Sequence, residues 1–333
     1  MTVKGRIFSG MQPSGNFHLG NYLGALENWV KLQDQYECFF CVVDWHALTS
    51  TFENTEALPQ RTYEMALNWL SAGLDPEKNT IFIQSQVKEH AELHLLLSMM
   101  TPLSWLERVP TYKDKLAQLG SQGKDINTYG FLGYPELMTA DIALYKADTV
   151  PVGIDQLPHL ELTREIVRRF NNLYGQEVFV EPKEMLSQAS LLPGLDGRKM
   201  SKSYGNEIPF AASEKEIREK VRQMVTDPQR VRRTDVGNPD VCPVFTFHKV
   251  FSPAVVVTEI DQECRKAGIG CVDCKKRLAD HMAGALAPIH ERRVVLEQQP
   301  ERVYEILAAG AEKARKVANE TMRSVREVMH LPN

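Results

Sequence analysis

A segment of thirteen residues in the second half of the chain is rich in both positively charged residues and glycine. The segment GLDGRKMSKSYGN, residues 194–206, contains three lysines or arginines and three glycines. Lys199 and Lys202 are separated only by Met200 and Ser201. A lysine ammonium is a compact charge on a flexible stem, and flanking glycines allow a loop to close over a ligand and reopen. The pattern predicts a mobile cationic loop that stabilises negative charge developing on a polyphosphate.

A second glycine-rich segment, SGMQPSGNFHLGNYLGAL, begins at Ser9 and runs from a predicted strand into a predicted helix. In doubly wound sheets, ligands bind at the carboxyl ends of strands, where helix N-termini present free N–H groups to phosphate. Three glycines allow close backbone approach, and His18 and Asn21 supply side-chain donors. The glycine spacing is neither that of the dinucleotide-binding turn nor that of a Walker loop. By itself, the segment is compatible with a nucleotide site or with an ordinary glycine-rich turn.

Short apolar runs alternate with helical patterns over the first two hundred residues. Strands are predicted at 6–10, 38–44, 80–85 and 149–153. Helices are predicted at about 19–30, 55–72, 90–100 and 160–173. Strands separated by helices of this length require right-handed crossovers and form a parallel sheet.

Beyond about residue 206 the patterns are mainly helical. The helices are predicted at 213–225, 273–297 and 300–328. The sequence therefore predicts an α/β fold with two domains. Residues 1–205 are expected to form a Rossmann-type doubly wound parallel sheet with the catalytic site, and residues 206–333 an all-α domain.

The two glycine-rich segments resemble the signature motifs of class I aminoacyl-tRNA synthetases. KMSKS at 199–203 is identical to the second signature, and HLGN at 18–21 resembles the first with asparagine as its last residue. The blocks TADIALY at 139–145 and VPVGIDQLPHLELTREIVRRFN at 150–171 are similar to those of the tryptophanyl-tRNA synthetase family. The resemblance covers essentially the whole chain.

The resemblance implies a two-step reaction: ATP activates tryptophan to tryptophanyl-adenylate with release of pyrophosphate, and tryptophan is then transferred to the 3′ end of tRNA(Trp). It implies that His18, Asn21, Lys199 and Lys202 are catalytic and that Mg²⁺ shares the charge of the pyrophosphate. The attacking group is the carboxylate of the substrate itself, so catalysis consists of positioning and electrostatics. The implied ATP-binding residues are Gln12, Pro13, Ser14, Gly20, Asn21, Gly153, Ile154, Asp155, Lys199, Met200, Ser201, Lys202 and Ser203. The family usually has glutamate where this chain has Ile154, so only a backbone contact is expected there.

An acidic residue stands on an otherwise apolar helix face at 134–145. Asp141 there is either a cap or ion-pair partner, or a buried hydrogen-bond acceptor. An indole ring offers one N–H donor and no acceptor, so a carboxylate at the base of an apolar slot would select tryptophan over phenylalanine. The resemblance assigns this role to Asp141. It implies the other tryptophan-binding residues, namely Phe8 and Met138 in the slot, Tyr134 and Gln156 at the α-amino group, and His46 nearby. The family often has glutamine at the position of Trp45.

Four of the six cysteines lie in one stretch of 33 residues inside the predicted helical domain. Their spacing is C-x21-C-x6-C-x2-C. Four thiolates can hold tetrahedral zinc or a [4Fe–4S] cluster. The spacing resembles that of a bacterial subgroup of the family with a four-iron cluster, which we expect here rather than zinc. The ligands would be Cys242, Cys264, Cys271 and Cys274. The cluster would have a structural role, fixing helices beside the basic run at 274–277 so that they meet the anticodon loop.

His90 and His94 stand four residues apart on a predicted helix, but the pattern of a helical zinc site is incomplete. We therefore expect them to be partly exposed or to lie at a subunit interface. The long REIVRRF helix and the resemblance predict a symmetric homodimer. With 43% hydrophobic residues, no long apolar run and no secretory signal, the expected location is the cytoplasm, with no membrane contact.

Two other functions remain open at this point. A related class I enzyme, such as a tyrosine synthetase or a small-molecule adenylate-forming ligase, would share the signatures. An iron–sulfur protein that binds RNA or senses redox state could have kept the fold without catalysis. Tryptophan-dependent ATP–pyrophosphate exchange distinguishes the first from the tryptophan enzyme, and ATP binding argues against the second.

Overall fold

Five parallel strands form the sheet on which the site is built. The computed structural model describes residues 3–13, 15, 17–110, 112–114, 116, 126–186, 192–201 and 204–332. The strands are β1 (Arg6–Met11), β2 (Glu37–Val42), β3 (Thr80–Ile83), β4 (Thr149–Val152) and β5 (Lys183–Leu186). They pair in the order β3-β2-β1-β4-β5, and every pairing is parallel. This order confirms the predicted Rossmann-type doubly wound fold; β5 was not predicted.

The helices up to the end of the sheet surround its two faces. They are α1 (Leu19–Asn21), α2 (Glu27–Leu32), α3 (Asp44–Thr51), α4 (Leu58–Ala72), α5 (Glu89–Ser98), α6 (Leu103–Glu107), α7 (Tyr129–Leu132), α8 (Tyr134–Leu144) and α9 (Leu157–Tyr174). A π-helical turn, Tyr22–Leu26, joins α1 to α2. The predicted helix at 55–72 starts later, at Leu58, because Pro59 occupies its first turn, where no backbone donor is needed.

The regular elements described after β5 are all helices, as predicted. The helices are α10 (Glu214–Gln223), α11 (Pro243–Phe251), α12 (Ala254–Arg265), α13 (Cys271–Glu297) and α14 (Pro300–Val328). Ser213 caps α10 in a reciprocal pair of hydrogen bonds with Glu216. Helices α11 and α12 fall between the predicted ones.

Successive residues of β2 point into two separate hydrophobic cores. Cys38, Phe40 and Val42 belong to the core on one face of the sheet, whereas Phe39 and Cys41 belong to the core on the other. Alternation of this kind is the geometry of a strand buried on both faces. The two cysteines of this strand are therefore buried thiols on opposite faces of the sheet.

The C-terminal helices complete both of these cores. Met282 and Leu286 of α13 share a core with the residues of β2 that face α4. On the other face, α14 packs along β3, so closely at Gly310 that a methyl group there would overlap the backbone of Ile81. The division into domains at residue 205 stays a prediction, but these helices share buried side chains with the sheet. None of the described helices has the length and apolar character needed to cross a membrane.

Candidate active site

A cavity of about 400 Å³ opens at the carboxyl ends of β1 and β4. These two strands are neighbours at the point where the strand order reverses, and doubly wound sheets bind their ligands there. The volume lies within the usual range for small-molecule sites. Nine residues predicted to bind tryptophan or ATP line it, namely Phe8, Gln12, His46, Tyr134, Met138, Asp141, Gly153, Asp155 and Gln156.

Two residues that depart from the family pattern are not among those that line this cavity. Ile154 is 77% exposed, so its side chain faces solvent and does not line the cavity. The Trp45 ring lies under Lys88, whose Nζ is 5.4 Å from the ring centroid. Neither departure changes the chemical character of the cavity wall.

Asp141 is the charged group at the base of the cavity and is 1% exposed. Its Oδ2 accepts a hydrogen bond from His46 Nε2 at 2.9 Å, and its Oδ1 accepts one from His90 Nδ1 at 2.6 Å. Gln84 Nε2 donates to both oxygens, at 2.7 and 2.9 Å. Burial alone would raise the pKa of Asp141, but the charge and hydrogen bonds of His90 and His46 outweigh it and hold the pKa at about 2. The carboxylate is therefore ionised at neutral pH.

The expectation for His90 is wrong, because this side chain is fully buried. Besides Asp141 it contacts Tyr145, whose hydroxyl oxygen is 2.8 Å from His90 Nε2. The reason lies in the helix face that His90 shares with Leu93 and Leu97, both buried. That apolar periodicity was visible in the sequence and could have indicated burial. His94 is partly exposed, as expected, with Nδ1 3.8 Å from Glu136 Oε2.

The first signature forms the beginning of α1. His18 is the N-cap of the helix: its Nδ1 accepts a hydrogen bond from the backbone N–H of Asn21 at 3.3 Å, while Asn21 Oδ1 accepts one from the backbone N–H of His18 at 3.1 Å. Burial lowers the pKa of His18, with an opposing effect from Glu207. The ring is therefore neutral at neutral pH, with its remaining proton on Nε2. Ser14 lies outside the described residues.

The cationic loop is held at both ends by the side chain of Asn206. Its Nδ2 donates to Asp196 Oδ1 at 2.7 Å and to the carbonyl oxygen of Lys199 at 3.2 Å, while its Oδ1 accepts from the backbone N–H of Ser201 at 2.8 Å. A hydrogen bond from Asn206 is the main reason why the pKa of Asp196 is lowered to about 2. Asn206 is 3% exposed and fits there because Gly194 has no side chain.

The glycines that flank the loop have backbone conformations that suit a hinge. Gly197 and Gly205 have φ values of 82° and 62°, in the left-handed region that glycine adopts without strain. Between them, the structure describes residues 198–201 and Tyr204. Lys202 and Ser203, which we predict to bind ATP, lie outside the described residues.

The two signatures meet on one side of the molecule. A methyl group placed on Gly20 would lie 3.5 Å from Met200 Sδ, so the first turn of α1 and the loop are in direct contact. The backbone N–H of Leu19 also donates to the carbonyl oxygen of Ile208 at 3.0 Å, just after the loop. A single polyphosphate bound at the N-terminus of α1 would therefore lie beside the loop that carries Lys199.

The four cysteines of the C-terminal helices lie near one another and form no disulfide. Burial raises the pKa of Cys274 to about 12, with further contributions from Cys242, Cys264 and Cys271. Arg230 Nη1 lies 3.7 Å from Cys264 Sγ. Within the part of the chain that the structure describes, no three His, Cys, Asp or Glu side chains are arranged so that they could hold a metal ion.

Comparison with known proteins identifies the family. The family model described as tRNA synthetases class I (W and Y) matches residues 2–287. A tryptophan–tRNA ligase of Thermotoga maritima is 52% identical, over 98% of this chain and 99% of its own length. That of Aquifex aeolicus is 43% identical, over 98% of this chain and 100% of its own length. This chain belongs to the class I tRNA synthetases for tryptophan and tyrosine. It is an aminoacyl-tRNA synthetase.

A solved structure extends the similarity of this synthetase to three dimensions. Tryptophanyl-tRNA synthetase from Campylobacter jejuni, in a crystal structure complexed with ADP and tryptophan, is similar to it with a TM-score of 0.89 at 36% identity. The match covers 98% of this chain and all of the other. The fold expected from the sequence is thus confirmed by a full-length relative.

Replacing Asn206 in the synthetase tests the attachment of the loop. In the Asn206→Asp variant, a carboxylate faces Asp196 and the carbonyl of Lys199 without a proton to donate, so we expect the rate of amino-acid-dependent ATP–pyrophosphate exchange at pH 8 to fall about tenfold or more. Adding Asp196→Asn restores a donor opposite the new carboxylate, so the D196N/N206D double variant should regain part of the rate. A double variant no better than N206D would contradict this account.

Proposed function

We propose that this synthetase is a tryptophan–tRNA ligase in which the cavity behind β1 and β4 binds tryptophan and the two signatures bind ATP. The observation that carries the proposal is the buried, ionised carboxylate of Asp141 at the base of a cavity whose mouth is formed by strand ends. An ionised carboxylate can accept hydrogen bonds but cannot donate them. In this position it suits a ligand whose ring has a single N–H and no acceptor. Among the amino-acid side chains, indole has that property.

In the proposed complex, the indole ring lies between Phe8 and Met138 and donates its N–H to Asp141. His46 also contacts the same carboxylate and lies beside the ring. Tyr134 and Gln156 bind the α-amino group at the open end of the cavity. Phenylalanine fits the slot but offers no N–H to Asp141, so its complex lacks one hydrogen bond to a charged group.

ATP lies across the first turn of α1. Gln12, Pro13 and Ser14 approach it from the end of β1, and His18, Gly20 and Asn21 from the helix. The neutral ring of His18 has its Nε2–H free to donate to a phosphate oxygen, since Nδ1 is occupied by the Asn21 backbone. Gly153, Ile154 and Asp155 contact the nucleotide from the end of β4, Ile154 through its backbone alone.

The activation step moves charge onto the leaving group. A carboxylate oxygen of tryptophan attacks the α-phosphorus, a C–O–P anhydride forms, and the bond to the β-phosphate oxygen breaks. Lys199 and Lys202, with Met200, Ser201 and Ser203 as the surrounding loop, stabilise the departing pyrophosphate together with Mg²⁺. In the second step the 3′-terminal hydroxyl of tRNA(Trp) attacks the carbonyl carbon and AMP leaves.

Tryptophan-dependent ATP–pyrophosphate exchange tests this function. We expect tryptophan to be preferred over tyrosine and phenylalanine by about 10⁴-fold in kcat/KM, as in other sites that hydrogen-bond a substrate donor. Lys199→Ala and Lys202→Ala should each lower kcat by about 10²-fold with little change in the KM for tryptophan, because the lysines act on charge that develops after binding. Lys183→Ala, at the far end of β5, is the matched control. Equal turnover of tyrosine would contradict the substrate assignment, and unchanged exchange in both lysine variants would contradict their role.

For the cysteines, we propose a [4Fe–4S] cluster rather than zinc, held by Cys242, Cys264, Cys271 and Cys274. The donor set fits: four thiols with no disulfide, drawn from α12, α13 and the N-cap of α11, beside the positive charge of Arg230. Thiolates of a cubane cluster each bind a different iron, so they need not converge on one point as around a single ion. Such a cluster supplies a structural crosslink among three helices.

The C-terminal helices are also the proposed contact for the anticodon loop of tRNA(Trp). Arg230 and Arg233 donate to the carbonyl oxygens of 267–269, which precede Cys271. They thereby fix the cysteine loop while keeping their positive charge beside it, where RNA phosphates are attracted. Charged tRNA is used in translation, so we infer a cytoplasmic location.

Metal analysis tests the cysteine site. The protein purified with limited air exposure should be brown, absorb at about 400 nm and contain iron and sulfide. Cys274→Ser should lose the iron and reduce tRNA charging more than ATP–pyrophosphate exchange, because the crosslink is proposed for the tRNA-binding part. Cys38→Ser, which changes a core thiol elsewhere, should keep the iron. A colourless protein with stoichiometric zinc would overturn the cluster.

We also infer a symmetric homodimer through the face that carries Leu95, Met99 and Leu103. These apolar side chains are 55%, 70% and 62% exposed. Several large exposed apolar side chains in one short segment are typical of subunit interfaces, and most soluble oligomers are symmetric dimers. Met99→Glu is expected to shift the sedimentation coefficient to that of a monomer, whereas Val255→Glu, equally exposed on α12, is not. A wild-type protein that sediments as a monomer would refute the inference.

A further inference from the structure

The carboxylate of Asp141 is contacted from two sides that differ in character. Toward the cavity, Oδ2 meets His46, which itself lines the cavity. Away from it, Oδ1 meets His90, which does not line the cavity and is 0% exposed. We propose that His90, supported by Tyr145, is a positioning residue for tryptophan recognition: it holds Asp141 in the orientation that accepts the indole N–H. The proposal rests on the proposed role of Asp141.

The direction of the hydrogen bond between His90 and Asp141 follows from chemistry alone. An ionised carboxylate can only accept, so His90 Nδ1 carries the proton at the 2.6 Å contact with Asp141. The other ring nitrogen, Nε2, is hydrogen-bonded to the Tyr145 hydroxyl, 2.8 Å away. Burial raises the pKa of Tyr145, which keeps this hydroxyl protonated. The carboxylate of Asp141 thus requires the proton on Nδ1, while Tyr145 holds the opposite side of the His90 ring in place.

The same chain of hydrogen bonds is attached to the wall of the cavity. The Tyr145 ring stacks on Phe8, with centroids 5.5 Å apart and an interplanar angle of 5°. It also stacks on Phe39, with centroids 4.6 Å apart. Phe8 lines the cavity, so one fully buried tyrosine orients both an apolar wall of the slot and, through His90, the acceptor at its base.

Without the hydrogen bond from His90, the carboxylate of Asp141 would be held less firmly in the orientation that accepts the indole N–H. An incoming indole N–H must share Oδ2 with His46, and the bonds at Oδ1 resist rotation of the carboxylate about its Cβ–Cγ bond. Without His90, Asp141 keeps Gln84 and His46 as partners and can turn toward them. The loss should therefore fall on substrates that use the N–H and spare those that lack it.

The test compares tryptophan with its benzothiophene analogue, in which sulfur replaces the indole N–H. The readout is the ratio of kcat/KM for the two amino acids in ATP–pyrophosphate exchange. We expect the wild type to favour tryptophan by about 10³-fold or more. His90→Leu should reduce this ratio about 10- to 100-fold, the effect of one hydrogen bond to a charged group. Tyr145→Phe, which removes only the hydroxyl, should reduce the ratio about 3-fold.

The control is His94→Leu, the same substitution one turn along α5 in a side chain that touches Glu136 and not Asp141. It should leave the ratio unchanged. Thermal unfolding of each variant checks that the protein is folded. If His90→Leu is unfolded, the test of the role of His90 uses Tyr145→Phe and His90→Asn. Asparagine keeps an N–H donor but cannot reach Tyr145.

The outcomes separate the two levels of the argument. If the wild type accepts both amino acids equally, Asp141 does not read the indole N–H and both proposals fall. If the wild type discriminates but the folded His90 and Tyr145 variants keep the full ratio, or lose activity equally with both amino acids, the role of His90 is overturned while that of Asp141 stands.

Discussion

The substrate half of the molecule depends on keeping one negative charge stable away from water. Removing a carboxylate from solvent costs on the order of several kcal/mol unless it is paired and hydrogen-bonded. Asp141 on α8 meets this cost through donors from three other segments: His46 on α3, Gln84 after β3 and His90 on α5. These hydrogen bonds fix the base of the cavity before a ligand arrives, so the site needs little rearrangement to recognise a donor.

The nucleotide half combines a stiff element with a hinged one. The turn at His18 is locked by two reciprocal hydrogen bonds with Asn21, whereas the loop between Gly197 and Gly205 is attached mainly through Asn206. A stiff turn suits the part of ATP that keeps its place, and a hinged loop suits the part that leaves. The contact between Gly20 and Met200 brings the two together. Chemistry without a covalent enzyme intermediate depends on such placement.

Most strands and the longest helices could be predicted because their apolar residues repeat at the period of the element. The strands from β1 to β4 and the helix at 300–328 follow this rule. β5 could not be predicted, because three of its four residues are exposed and show no buried pattern. The cavity residues came from motif resemblance, but Gln84, His90 and Asn206 did not. Their importance arises from contacts between segments distant in the chain, which spacing does not reveal.

The close approach of α14 to β3 has a consequence for the order in which the protein is made. Every residue that lines the cavity precedes residue 160, yet the edge strand of the same sheet, β3, is covered by a helix that begins at Pro300. During synthesis from the N-terminus, the edge of the sheet at β3 has no partner until α14 has been made. The fit there is tight, because a methyl group on Gly310 would overlap the backbone of Ile81. A chain that stops before residue 300 therefore leaves β3 as an uncovered edge strand, which is open to pairing with other chains.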